Sequence, residues 1–337
     1  MDSLTQIALG SAVGVAVMGR RTAAWRAALW GGICGTLPDL DALIDYGDPV
    51  GNMVLHRADT HSLVWLTLAA PPLAWGIARL NGEMDRLRRW WLAVWAALVT
   101  HPLLDVMTVY GTQLLRPFTD HPYGVGSVFI VDPLYTLPLV AGVVAALRLP
   151  GRRGRRWNLA GLALSTAYLA AGVAAQHHVD GVARRSLAAQ GIVADRVLVT
   201  PTAFNAVLWR VVAITPQAYH EGFRSLLDGE PTMAFERFER GEALHGALRD
   251  HLPVRRIARF SHGFFGLRER DGRVLLSDLR MGQEPYYVFT FAVARRGPDG
   301  RIEPTPVPVA AGGRPDLARG LPWLWRRIGG DPVPPPR

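Results

Sequence analysis

Cysteine is almost missing from this chain. Cys34 is the single one in 337 residues, so no intrachain disulfide can form and a thiolate metal site is excluded. Lysine is absent altogether. All 37 basic residues are arginine, which reflects genome composition more than function. The 28 acidic residues leave a formal charge of +9. A nucleic-acid surface needs a basic patch with interleaved aromatics. Here the arginines fall in short clusters between apolar runs, such as RLRRWW and GRRGRRW, and no nucleic-acid partner is expected. No basic stretch precedes the first apolar run, so a typical cleaved signal peptide is not expected either.

What the chain has in quantity is apolar sequence, concentrated in its first half. Stretches at about 4–18, 23–37, 62–80, 90–108, 130–148 and 157–175 alternate with polar segments. A spanning helix needs roughly 20 apolar residues; the last four stretches fit, and the first two are short. GSAVG (10–14) and GGICG (31–35) space small residues as closely packed helices do. The expected fold is mostly α: a polytopic transmembrane bundle of about six apolar helices over 1–175. A small extramembrane α+β domain over 176–325 and a disordered proline-rich tail over 326–337 would follow. In the second part, 195–201, 205–214, 217–227, 273–281 and 286–294 have strand-like content, 233–251 has helical periodicity, and 261–266 reads as a turn between strands.

Arginine placement predicts orientation. Arg20, Arg21 and Arg26, then Arg86, Arg88 and Arg89, then Arg152, Arg153, Arg155 and Arg156 mark every second connection. The intervening segments 38–61 and 109–129 hold only Arg57 and Arg116. They and the C-terminal half are expected on the non-cytoplasmic side of a multi-pass protein.

The polar clusters gather on that same side: TLPDLDALID (36–45), HRADTHS (56–62), THPLLDVMTVYGT (100–112) and VDPLYTLP (131–138). His101 and Asp105 are four apart, about 40° on a helix, and so share a face. Counted from Arg89, His101 lies about 18 Å along the helix. Ionisable groups at such depth usually mark function, although a His–Asp pair can simply join helices. His56 and His61 diverge by about 140° on one helix, so His56 is expected on a preceding loop, with Thr60 capping the helix. Asp39 and Asp41 can point the same way in extended backbone. Asp132 either joins them or caps the fifth helix. The expected metal ligands are therefore Asp39, Asp41, His56, His61, His101, Asp105 and Asp132.

Imidazole with carboxylate and no thiolate suits a divalent ion, zinc first or else manganese, and so many candidates suggest two or more ions. Such a site activates water for phosphoester hydrolysis. Asp39 and Arg57 are the expected catalytic residues. Arg57, Tyr110 and Thr112 are expected to contact substrate, with Arg57 able to grip a phosphate bidentately. Membrane lipids are the expected surroundings.

MDSLTQIALGSAVG, GTLPDLD, HRADTHS, THPLLDVMTVYGTQLLRPF and VDPLYTLP together resemble the YdjM-like, membrane-bound, predicted metal-dependent hydrolases over roughly residues 1–175. That family is thought to be related to zinc-dependent phospholipase C and kindred zinc-cluster nucleases. The resemblance implies a bacterial inner (cytoplasmic) membrane enzyme acting on a phosphoester or lipid-like substrate. The family's motifs fall on His56, Arg57, Thr60 and His61, on His101 and Asp105, and on Pro38, Asp39 and Asp41. Ala58 stands where a glycine often follows, and Gln6 where a histidine often stands. The competing expectation is a non-enzymatic membrane protein with a structural metal or His/Asp network and a partner-binding C-terminal domain. A transporter is disfavoured, because the polar residues gather on one side and form no path across.

The orientation is directly testable. Reporter fusions after Arg89, Arg156 and Asp228 should read inside, inside and outside; a cytoplasmic reading at Asp228 overturns it.

Overall fold

The computed structural model of the protein describes residues 1–313 and 316–337, which divide into two units. Unit one holds residues 1–44, 56–173 and 203–205; unit two holds 45–55, 174–202 and 206–337. The helices of the first half are α1 (Ser3–Met18), α2 (Ala24–Thr36), α3 (Pro49–Leu55), α4 (Leu63–Leu80), α5 (Leu87–Val106), α6 (Pro133–Arg148) and α7 (Gly151–Ala189). Of these, α3 belongs to unit two, and α7 contributes to both units.

The helix starts follow from capping chemistry. Asp2 accepts from Thr5 N at α1, and Asp132 accepts from Leu134 N at α6, just ahead of Pro133. At α4 the cap is Ser62, whose Oγ accepts from Val64 N and Trp65 N, and not Thr60 as the sequence suggested.

Only two described helices are long and apolar enough to cross a membrane, α4 and α7. The expectation of about six spanning helices is corrected accordingly. α2 has 13 residues, about 20 Å of helix against a hydrocarbon core of about 30 Å. α1 and α6 have 16 each. α5 is 20 residues long but opens on Arg88 and Arg89 and carries His101 and Asp105. The outward faces are nonetheless apolar: Leu4, Ile7, Trp25, Leu29, Leu68, Trp75, Leu137 and Leu164 are all exposed. Sequence also missed the length of α7, a 39-residue helix that runs on past His177 and His178, where the boundary was expected, to Ala189.

Unit one is built on small residues. Gly10 and Gly14 of α1 face Gly31, Ala27 and Gly35 of α2 so closely that a Cβ on Gly10 or Gly31 would strike the opposite backbone. Ala27, Ala28, Ala70, Ala74, Ala78, Ala93 and Ala97 fill the adjoining core around Trp90, whose indole N–H donates to Glu83.

Unit two contains two four-stranded antiparallel sheets. One has the order β1 (Arg196–Pro201), β2 (Leu208–Ile214), β3 (Ala218–Ser225), β4 (Glu236–Glu239). The other uses β5 (Phe265–Arg270), β6 (Arg273–Asp278), β9 (Thr290–Arg296) and β10 (Ile302–Ala310) in the order β10-β9-β6-β5; β7 (Gly282–Gln283) pairs with β8 (Tyr286–Tyr287). Period-two alternation sorts β2: Trp209 and Val211 meet Val179 and Ala183 of α7, whereas Val212 and Ile214 join Phe264, Leu279 and Tyr287.

The single helix expected at 233–251 is broken. Glu236–Glu239 is a strand, and helix resumes only in α8 (Glu242–Leu248) and α9 (Leu252–Phe260). Gly241 causes the break: its φ of 77° and its closeness to Leu267 admit no side chain. Residues 261–266 turn from α9 into β5 and do not join two strands. The tail expected to be disordered over 326–337 is held. α10 (Leu317–Ile328) enters it, Trp323 donates to Val333 O, and the Arg337 guanidinium bonds Glu221 and Glu236.

The α1–α2 seam makes a simple prediction. Gly10→Ala or Gly31→Ala should destabilise the protein in detergent by about 1–3 kcal/mol, as overpacking does. Gly76→Ala on α4, where a methyl meets nothing within 4 Å, should be neutral or slightly stabilising. Thermal melting of the three variants checks this.

Candidate metal centre

Three segments of unit one bring the site together. α2 ends in a 3₁₀ helix, Leu37–Leu43, that carries Asp39 and Asp41. A short 3₁₀ turn, Asp59–His61, presents His61 immediately before α4. α5 supplies His101 and Asp105 from successive turns.

Asp39, His61, His101 and Asp105 each offer one donor atom, and the four atoms lie within 4.8 Å of one another. His61 Nε2 is 3.1 Å from His101 Nε2. Asp105 Oδ2 is 3.3 Å from the first and 3.4 Å from the second. Asp39 Oδ1 is 3.5 Å from both. Tetrahedral coordination with bonds of about 2.0–2.1 Å separates neighbouring donors by about 3.3–3.4 Å. The side chains of His61, His101 and Asp105 are fully buried, and Asp39 alone keeps some exposure, 19%.

The protons explain why a cation fits. His101 Nδ1 lies 2.6 Å from Gly35 O, and a carbonyl only accepts, so Nδ1 carries a hydrogen and Nε2 is the ring atom turned to the centre, where it would meet a metal. Asp105 Oδ1 is bonded by the Met1 amino group and by Gln6 Nε2 at 3.1 Å, but its buried Oδ2 accepts no hydrogen bond. The donor atoms therefore face one another across a buried space, with Arg57 Nε 3.3 Å from Asp105 Oδ2. Buried carboxylates and imidazoles gathered this way suit a bound cation. These residues fit a divalent metal; nitrogen and oxygen donors alone do not fix which one.

The other expected ligands do different work. Asp41 is 1% exposed. Its Oδ1 faces His56 Nδ1 at 2.8 Å, and its Oδ2 accepts from Arg57 N at 2.9 Å and from Thr60 Oγ1 at 2.7 Å. His56 thus lies against Asp41, with its ring edge-on to His61 at 5.9 Å. Asp132 stands apart: it caps α6 and accepts from Tyr168 Oη at 2.8 Å. Burial pushes the Asp41 carboxyl up, but His56 and Thr60 outweigh that, so it sits below the usual carboxylate range.

Arg57 adopts φ 63°, a conformation rare for a side-chain-bearing residue and concentrated at functional sites. It is held there by Asp41 on its N–H and by Gln113 N, which donates to its carbonyl at 3.0 Å. Its buried guanidinium lies 4.8 Å over the Tyr110 ring and brings Nε to 3.3 Å from Asp105 Oδ2. Tyr110 therefore supports Arg57. Thr112 pairs through its backbone with Tyr123. Sequence reasoning did not find Gly35, whose contribution is a backbone carbonyl, nor the roles of Gln6 and Thr60; the Thr-His pair in HRADTHS was the available signal for Thr60.

Ala substitution of His61, His101 or Asp105 should weaken metal binding by more than the roughly 10–100-fold typical of supporting residues. Asp132→Ala should retain full metal content and lose about 0.5–2 kcal/mol of stability with the α6 cap. Metal analysis and melting of the same preparations separate the two classes.

The family described as YdjM inner membrane protein matches residues 1–179, more than half of the chain and all of the His/Asp group. The uncharacterized protein YfhP of Bacillus subtilis (strain 168) is 26% identical over 149 residues, 42% of this chain and 45% of that protein. The chain thus spans less than half the length of that relative. No solved structure matches. A match that covers every segment contributing to the centre places the chain in one family: it belongs to the YdjM inner membrane proteins.

Proposed function

We propose that the protein is an integral-membrane, metal-dependent hydrolase of phosphoesters that works on the non-cytoplasmic face and takes a lipid-linked or lipid-like substrate. The observation that carries this reading is the convergence of Asp39, His61, His101 and Asp105, with His101 Nε2 turned inward and the buried Asp105 Oδ2 without a hydrogen bond. Zinc is the metal proposed first, with manganese next. When bound, such an ion polarises a phosphoryl oxygen and brings the pKa of water to near 7.

The chain's own residues divide the remaining work. His61, His101 and Asp105 are sealed from solvent, so the ion would be reached past Asp39, the ligand with exposed surface. Asp39, the one of the four with exposed surface, is placed to take a proton from an approaching water. Arg57 sets a fixed positive charge beside Asp105, where it offsets the excess of carboxylate and favours an anionic substrate. A lipid-borne phosphoester is the substrate class that a site in an inner membrane protein meets by lateral diffusion.

A second reading has its own observation: three ligands with no exposure could equally form a structural metal staple joining α5 to the segments around it. The experiment is metal analysis of the detergent-purified protein, followed by turnover on a panel of phosphodiesters and phospholipids. Stoichiometric metal with turnover that is lost in His101→Ala supports the hydrolase. Stoichiometric metal without turnover on any ester favours the staple. A protein that neither retains nor takes up metal defeats both.

A further inference from the structure

We propose that Thr60 is a positioning residue that carries the charge of Asp41 to His61 and thereby fixes which nitrogen of His61 meets the metal. The inference rests on the metal reading of the site but is decided by a separate measurement. Three distances define the relay. Thr60 Oγ1 is 2.7 Å from Asp41 Oδ2 and 2.9 Å from His61 Nδ1, whereas Asp41 Oδ2 itself is 3.5 Å from His61 Nδ1, too far for a direct hydrogen bond.

A threonine hydroxyl has one hydrogen to give. Asp41 only accepts, so that hydrogen goes to Asp41. Thr60 Oγ1 then faces His61 with a lone pair, and His61 Nδ1 must donate to it. Nε2 is left bare, pointing at Asp39, His101 and Asp105. If the hydroxyl turned to His61 instead, it would leave two oxygen lone pairs 2.7 Å apart beside a buried carboxylate. Metal-bound histidines commonly hand their second N–H to a carboxylate or a carbonyl. His101 follows that rule with Gly35 O; His61 follows it with a threonine interposed.

The interposition has a geometric reason. Asp41 also holds the backbone N–H of Arg57 and faces His56, so it stands behind the loop and not beside the His61 ring. Thr60, adjacent to His61 in sequence, bridges the difference. The same carboxylate thus fixes Arg57 through its backbone and His61 through Thr60.

The test uses the full chain in detergent, with zinc as the probe. Zinc affinity is measured by chelator competition for wild type, Thr60→Val and Thr60→Ser. Long-range ¹H–¹⁵N spectra of histidine-labelled protein report which His61 nitrogen carries hydrogen, with His61→Gln used for assignment. Thr60→Val should lose ~10–100-fold in zinc affinity, as removal of a ligand-orienting partner does, and Thr60→Ser should restore most of it. Wild-type His61 should show hydrogen on Nδ1. Unchanged zinc affinity in Thr60→Val overturns the relay, even if that variant melts lower, because a merely structural threonine would affect stability alone. A wild-type His61 with hydrogen on Nε2, or bound to zinc through Nδ1, overturns it without reference to any variant. If wild type takes up no zinc, the hydrolase reading fails; the relay then stands if metal-free His61 keeps its hydrogen on Nδ1 and loses that preference in Thr60→Val, and falls otherwise.

Discussion

A carboxylate shut away from water must find its hydrogen bonds in the protein, and Asp41 finds them in one loop. With 1% exposure, it takes the Arg57 N–H and the Thr60 hydroxyl and faces His56. Those contacts fold HRADTHS around a single buried charge. The left-handed backbone at Arg57 goes with them: in that bend its N–H meets Asp41 while its carbonyl receives Gln113 N–H. The Asp59–His61 turn follows as well, delivering His61 to the centre before Ser62 starts α4.

The glycine seam is the second half of the same construction. Gly35 lies at the α2 end of that seam, where a Cβ would fall 2.7 Å from Gln6 O. Its carbonyl orients His101, while Gln6, from the facing turn of α1, donates to Asp105. The residues that let two helices touch are therefore also those that set hydrogen bonds around the His/Asp group. A side chain at position 35 would disturb the packing and the orientation of His101 together.

Much of the centre was legible in the sequence because its signals are local. The four-residue spacing of His101 and Asp105 holds on any helix, and the polar residues of 36–45 and 56–62 directly flank apolar runs. His56 was correctly assigned to a loop, but its partner proved to be Asp41; loop geometry is set by a hydrogen bond across 15 residues, which no periodicity encodes. Asp132 carried an equally good capping signature, and capping is what it does. The helix count failed because hydropathy registers composition, whereas Pro133 and Gly151 set where α6 and α7 begin. Residues 233–251 failed for a related reason: helical periodicity survives in sequence even where Gly241 forces the backbone out of the helix.

The donor set also has a chemical temperament. Nothing in the His/Asp group is sulfur, and the one cysteine, Cys34, packs as a small apolar residue in the helix core. Thiolate ligands are lost stepwise to sulfenic, sulfinic and sulfonic acids, or are drawn into disulfides. Imidazole nitrogens and carboxylate oxygens have no such ladder to climb. The His/Asp side chains are therefore indifferent to redox poise: they present the same donor atoms in an oxidising milieu as in a reducing one.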